Sequence, residues 1–376
     1  MTDELTQPDD VMAEATELSL AQKRAFHRDG FIVLRQVVAP ELTHAAKRRI
    51  NIFAGREGHL FRYYNELAES VEFPNLVNKS ALRDILLRTM GPFDAPQRAM
   101  PMVLYPRDPS ADVGGYGVAD RDIPNFGFVP HLDGQWAGDL PRNQNEVDNW
   151  HSPRTEHFGS GDARSRGRNN TPFFQDPACR LGMGSFTAFV GVCLNDQTEF
   201  GRGNLAVLRG AHHVVQDFFR MQRASGGGIG PEGSGWPRLR PAGDGGVAMN
   251  HLPDAILEHY ADEAERTPDG SIWPKPTPIL LAEGDAVITL HAIPHCGTRN
   301  ELGAEPRMNV YFRLRRERPG GATVVGDSDH PDRGWNGEFL DYPEGYDPWQ
   351  VAIDKLCDHW SEWDGMQDVV AEGSAP

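Results

Sequence analysis

The chain has 376 residues, a formal net charge of −17 and 39% hydrophobic residues, enough for one large domain with elaborations or for two small ones. It has no run of about 18 apolar residues, so no membrane-spanning helix is expected, and its acidic balance disfavours nucleic acid and anionic membrane surfaces as partners. The four cysteines, Cys179, Cys193, Cys296 and Cys357, form no CxxC pair, which argues against zinc ribbons and disulfide frameworks and for free thiols in a reducing cytoplasm.

Residues 1–18 are polar and acidic, lack the regions of a signal peptide, and are expected to be a partly disordered leader. Ser19 and Gln22 have the spacing of a capping box, so a helix is expected from there to the turn at Asp29 and Gly30. The run 31–34 (FIVL) reads as a strand, and 41–53 and 80–90 read as helices, the second closed by Gly91 and Pro92. From about residue 99 short β-rich runs follow, at 100–105, 185–194, 204–208, 278–281, 285–290 and 307–314, separated by Gly, Pro, Asn or Asp. Such a series predicts a sandwich or barrel. Two segments interrupt it: 137–180 is polar and nearly aperiodic, and 223–246 is rich in Gly and Pro. Both are expected to be long loops, the first a lid over the site. Further helices are expected over 253–266 and around 349–360. The division that follows is a leader (1–18), a catalytic domain (19–326) and a C-terminal extension packed on it (327–376).

The first chemical signal is His131, Leu132 and Asp133. In an extended chain residues i and i+2 share a face, so an imidazole and a carboxylate can meet one metal ion while Leu132 turns into the core. The second signal is the segment 283–295 (EGDAVITLHAIPH), an apolar strand running to His291 and His295, followed by a strand that Arg307 opens. Two histidines and one carboxylate are the facial triad of non-heme iron(II), which leaves three octahedral positions open. A buried arginine nearby suits a dicarboxylic cosubstrate, because its planar fork binds a carboxylate through two hydrogen bonds. Gln135 and Trp136 follow the triplet and are candidates for the substrate pocket. Arg164, Arg166 and Arg168 form the one acid-free basic cluster of the first long loop and are candidates to attract an anionic substrate; a solvated loop is the plainer reading. His212 and His213 read as the surface end of a strand, and the run 226–230 (GGGIG) as a flexible linker, since no Lys-Ser/Thr follows it.

These segments resemble the phytanoyl-CoA dioxygenase family of iron(II)/2-oxoglutarate oxygenases. The likeness runs through 26–34 (FHRDGFIVL), the triplet at 131–133, 203–212 (GNLAVLRGAH) and the series His295, Asn300 and Arg307. Arg209 and Ala211 depart from the family's Pro and Ser, and Cys296, Gly297 and Thr298 from its more usual Gly-Ser. The resemblance implies a mostly β fold with flanking helices, the double-stranded β-helix or jelly-roll barrel. It implies His295 rather than His291 as the distal ligand, Fe(II) and O2 as cofactors, and 2-oxoglutarate as cosubstrate, its distal carboxylate held by Arg307 with Thr298 as a further candidate. The implied reaction is hydroxylation of a small-molecule metabolite with release of succinate and CO2. The alternative is a cupin-type metalloenzyme that does not use 2-oxoglutarate. A halogenase is disfavoured because Asp133 stands where that chemistry needs a small residue, and a binding module without activity is disfavoured by the complete triad.

Overall fold

The computed structural model describes residues 16–57, 65–106, 120–133, 186–226, 229–230, 233–237, 239–241, 247–267, 270–316, 323–325, 339–341 and 348–373. The first helix, α1 (Leu20–Asp29), begins with the capping box read from the sequence: Ser19 accepts from the Gln22 amide, and the Gln22 side chain accepts from the Ser19 amide. It ends at Gly30, whose φ of 81° suits a residue without Cβ. Strand β1 (Phe31–Leu34) follows, then α2 (Pro40–Glu57), α3 (Asn65–Ala68), α4 (Glu72–Asn78) and α5 (Ala81–Met90), capped by Ser80. The strands β2 (Met100–Leu104), β3 (Ala188–Cys193) and β4 (Leu205–Val207) lead to α6 (Ala211–Ser225). Two small hairpins come next, β5 (Leu239–Pro241) with β6 (Val247–Met249) and β7 (Glu265–Arg266) with β8 (Ile272–Trp273). Then follow β9 (Thr277–Pro278), β10 (Ala286–Leu290), β11 (His295–Gly297), β12 (Arg307–Leu314), the hairpin β13 (Thr323–Val325) with β14 (Phe339–Asp341), and the helices α7 (Pro348–Cys357) and α8 (Gln367–Gly373).

Two antiparallel sheets form the centre, a five-stranded one in the order β1-β10-β3-β12-β2 and a three-stranded one in the order β11-β4-β9. The period of two along each strand sorts residues into layers. Ile32, Leu34, Val190, Val192, Ile288, Leu290, Val310, Phe312 and Leu314 point out of the large sheet into the helical layer, against Phe26, Ile50, Phe73, Leu86 and Trp363. Val33, Phe189, Cys193, Val287 and Tyr311 point inward, where they meet Leu205 and Val207 of the smaller sheet and Ile279 and Ile293 next to its strands. Each fully buried aliphatic contributes about 1.5–3 kcal/mol, so this alternation fixes which face of β12 looks into the space between the sheets. Antiparallel sheets therefore occupy the core as expected, but helices take up more of the described residues than strands do, so "mostly β" holds only for the centre.

Three expectations need correction. His212 and His213 open α6 rather than ending a strand, and His212 is buried, its Nε2 2.9 Å from the His27 carbonyl oxygen. Val215, Phe218, Phe219 and Gln222 form the buried stripe of that helix, a 3.6-residue period that the Gly-rich sequence after it obscures. Within 223–246 the helix runs on to Ser225 and a hairpin follows, so the described part is not one loop. The helix expected over 253–266 is broken: a single turn at Asp254–Leu257 passes into a 3-10 segment, kinked at Tyr260 (φ −114°), whose hydroxyl donates to the Arg209 carbonyl at 3.1 Å. Among the described residues no helix is long and apolar enough to cross a membrane.

The C-terminal helices close over α1 and α6. Phe26 packs edge-on against Trp360 and Trp363, ring centroids 5.1 Å away in each case. Three buried imidazoles lie beside this seam, His212, His291 and His359, with His291 and His359 centroids 5.2 Å apart. Burial drives all three down from the usual imidazole range, His359 to about 3, and neighbouring cations or imidazoles add to it. A folded-state pKa below the unfolded value of about 6.5 means that the unfolded chain binds more protons as the pH drops. Stability is therefore full above about pH 6.5 and is lost progressively toward the folded values, about 2 kcal/mol from His359 alone at pH 5. Denaturant midpoints at pH 7.5 and 5.0 should show this loss, and His359→Phe should reduce it by about a third if the three rings share it equally. Equal losses in both proteins would exclude His359 as a source.

Candidate metal centre

The segment carrying His131 enters through a left-handed turn at Pro124–Gly127, where Asn125 and Phe126 have φ of 52° and 55°. Such residues cost about 1–2 kcal/mol each. The turn is held by the Arg299 amide, which donates to the Phe126 carbonyl at 2.7 Å, and by the Arg299 guanidinium packed on Gly127. From there the backbone meets β11 in an antiparallel bridge: the His131 amide donates to the His295 carbonyl and the His295 amide to the His131 carbonyl, each at 3.1 Å. The bridge brings the two imidazoles to a centroid separation of 5.0 Å. Asp133 follows two residues on, and Leu132 between them is buried against the opposite cluster with Phe128 and Leu208, as its place in an extended triplet requires.

One ligand atom from each of His131, Asp133 and His295 lies within 4.8 Å of the other two, and among the described residues no other group of three such side chains does. The His131 and His295 Nε2 atoms are 4.0 and 3.9 Å from the two Asp133 carboxylate oxygens, wider by about an ångström than the roughly 3 Å between neighbouring ligands of an octahedral ion bound at about 2.1 Å. Their Nδ1 atoms lie 3.2 Å from the Val129 carbonyl and 2.9 Å from the Ile293 carbonyl. A ring N–H donating to a carbonyl places the proton on Nδ1 and leaves the Nε2 lone pair for a metal. Burial pushes the Asp133 carboxyl up, but the Arg313 guanidinium and the two imidazoles outweigh burial and hold it down at about 2. The carboxylate is therefore ionised at neutral pH. The donor set fits a divalent ion of the iron type.

Arg313, which the sequence reading passed over, donates from Nε and Nη2 to the Asp133 Oδ2 at 2.9 and 2.6 Å. Its guanidinium lies 5.4 and 6.0 Å from the Phe186 and Phe189 rings. Phe189 stacks with His295, centroids 5.2 Å apart, and with Tyr311 at 4.9 Å. Gly191 stands opposite Tyr311 in the ladder, and a Cβ there would lie 2.8 Å from that ring.

Arg307 is buried, 4% exposed. Its Nη1 donates to the Tyr311 hydroxyl at 3.0 Å, its Nε has no hydrogen-bond partner, and among the described residues no carboxylate pairs with it. Its Nη2 would lie 3.1 Å from a Cβ on Gly297, two residues beyond His295, so the missing side chain leaves room for the fork beneath β11. Thr298 is buried and donates its hydroxyl proton to the Asn204 carbonyl at 2.9 Å, which leaves no proton for a carboxylate. Asn300 donates to the Leu104 and Glu305 carbonyls and so ties the β11–β12 loop to the end of β2. His291 lies apart from the triad, against Phe186 and His359, with neither ring nitrogen hydrogen-bonded. Gln135, Trp136, Arg164, Arg166, Arg168, Cys179 and the segment 137–180 lie outside the described residues. Cys193, Cys296 and Cys357 are free thiols.

The chain matches no family model and no curated protein. Among solved structures it is similar to HygX from Streptomyces hygroscopicus with nickel and 2-oxoglutarate bound, at 12% identity over 80% of this chain and 88% of that one, TM-score 0.41. It is similar to the non-heme alpha ketoglutarate dependent carbocyclase SnoK from nogalamycin biosynthesis, at 15% identity over 89% and 97%, TM-score 0.44. It is also similar to the GlcNAc Inducible Gene 2 product (DUF1479) from Candida albicans, at 10% identity over 96% and 84%, TM-score 0.43. Likeness at this level leaves the side chains of the centre to carry the functional reading.

Proposed function

We propose that the chain is an iron(II)- and 2-oxoglutarate-dependent dioxygenase that hydroxylates a small-molecule metabolite, with His131, Asp133 and His295 as metal ligands and Arg307 as the anchor of the cosubstrate. The observation that carries the reading is the buried guanidinium of Arg307, which among the described residues has no carboxylate partner and lies beneath Gly297, two residues along β11 from a His-Asp-His set. A buried charge without a counter-charge is strongly unfavourable, and a dicarboxylate whose other end reaches the metal supplies that counter-charge. Iron(II) bound to the three ligands would supply the chemistry that couples O2 to decarboxylation of the 2-oxo acid, giving succinate and CO2. The chain's own part is to fix both imidazoles as Nδ1–H tautomers, keep Asp133 ionised, and receive the distal carboxylate at Arg307 beside the stacked Phe189 and Tyr311 rings. Gln135 and Trp136 belong to the substrate side of this proposal, and the Arg164, Arg166 and Arg168 cluster makes an anionic substrate a candidate class. A jelly-roll barrel and a cytoplasmic location belong to the same proposal.

The test is a metabolite screen for succinate release with iron(II), 2-oxoglutarate and O2. Slow succinate formation without substrate, rising at least tenfold with one compound class, is the expected result. Metal-dependent turnover of a compound with no succinate formed would favour the cupin-type alternative.

A further inference from the structure

Arg313 touches the same Asp133 oxygen, Oδ2, that lies 3.9 Å from His295 Nε2. Both side chains are nearly sealed from water, at 6% and 10% exposure, and the fork is held in place by Phe186 and Phe189. Among the described residues the side chains around the centre include two buried guanidinium groups, Arg307 and Arg313, and Asp133 is the carboxylate that Arg313 grips. A divalent ion entering alone brings two further positive charges, and Arg313 meets it across the very carboxylate the ion must bind. Like charges interact strongly in so dry a site. A dianion entering with the metal cancels the added charge.

We infer that Arg313 is a positioning residue that makes metal binding conditional on an anionic co-ligand: it neutralises Asp133 in the metal-free protein, weakens the hold on a lone divalent ion, and so couples metal and dianion binding. This rests on the metal reading proposed above. Arg307 receives the far end of the anion, whereas Arg313 acts at the metal end, on the charge of the ligand itself. A mutual dependence of two ligands is a coupling free energy and must appear from either side.

The experiment measures cobalt(II) affinity by competition with a chromophoric chelator, without and with saturating 2-oxoglutarate, for the wild type, Arg313→Gln and Arg313→Lys, with circular dichroism melts to confirm folding. The wild type is expected to bind cobalt(II) at least tenfold tighter when 2-oxoglutarate is present. Arg313→Gln should bind cobalt(II) alone at least tenfold tighter than the wild type and should lose at least tenfold of the gain from 2-oxoglutarate. Arg313→Lys, which keeps the charge, should stay near the wild type. Wild-type coupling in Arg313→Gln would make Arg313 a packing residue and overturn the inference while leaving the metal reading intact, and a lysine variant that behaves like glutamine would overturn it by making the fork rather than the charge decisive. Wild-type protein that binds no cobalt(II), or binds it equally after His295→Ala, would remove the metal reading and the inference with it.

Discussion

Alanine at His131, Asp133 or His295 is expected to abolish turnover and to strip the protein of iron, while His291→Ala keeps it. Loss of a group that only orients a ligand costs about 10–100-fold in metal affinity, and loss of a ligand costs more. Asp133→Ala has a second effect, since it leaves the Arg313 guanidinium buried without its carboxylate. That outcome is destabilising by about 3–5 kcal/mol, so this variant should also melt earlier than the two histidine variants. His291 provides the contrast because it is equally buried and only four residues from His295, yet faces Phe186 and His359 instead of the triad. Iron per chain and the absorption band of the anaerobic iron(II)–2-oxoglutarate complex are the readouts. A full band in His295→Ala would refute the ligand assignment, and loss of iron in His291→Ala would transfer it.

For Arg307→Ala the expected result is a large rise in the 2-oxoglutarate KM with the iron retained. Truncating one member of a buried ion pair costs about 3–5 kcal/mol, which corresponds to two to three orders of magnitude or more in affinity. Arg307→Lys should recover only part of this, because a single ammonium cannot offer two parallel donors to a carboxylate. The cosubstrate-free protein gives a check independent of turnover. There, among the described residues, the Arg307 charge has no acid paired with it and its Nε no partner, so Arg307→Met should melt no lower than the wild type, whereas 2-oxoglutarate should raise the melting temperature of the wild type alone. An unchanged KM would move the anchor elsewhere, and Arg313 would be the first residue to test.

What the sequence revealed follows from periodicity. The triplet at 131–133 was legible because alternate residues of an extended chain share a face, and the structure sets both side chains on one side with Leu132 on the other. Arg313 was equally available: it stands six residues after Arg307, so the same period of two places Arg307, Asn309, Tyr311 and Arg313 on one face of β12. It was passed over because an arginine in an apolar run looks like a strand end until its partner, 180 positions earlier, is known. The roles of Gly191 and Gly297 were hidden for a related reason, since an absent side chain matters only through what fills its place, the Tyr311 ring in one case and the Arg307 fork in the other. Helix α6 is hard to read in the sequence because a Gly-rich run follows directly on its buried stripe. The helix expected over 253–266 failed through local composition, which does not register the bond from Tyr260 to the distant Arg209 carbonyl.

Strand β12 carries its oily residues and its arginines in strict alternation: Val310, Phe312 and Leu314 toward the helices, Arg307, Tyr311 and Arg313 toward the ligands. Inserting or deleting a single codon in the middle of this stretch would therefore expel an aliphatic from the core and force a guanidinium into it in one event. A change of register thus strikes core and site together, whereas the connections around the strands can change length without moving either face of β12.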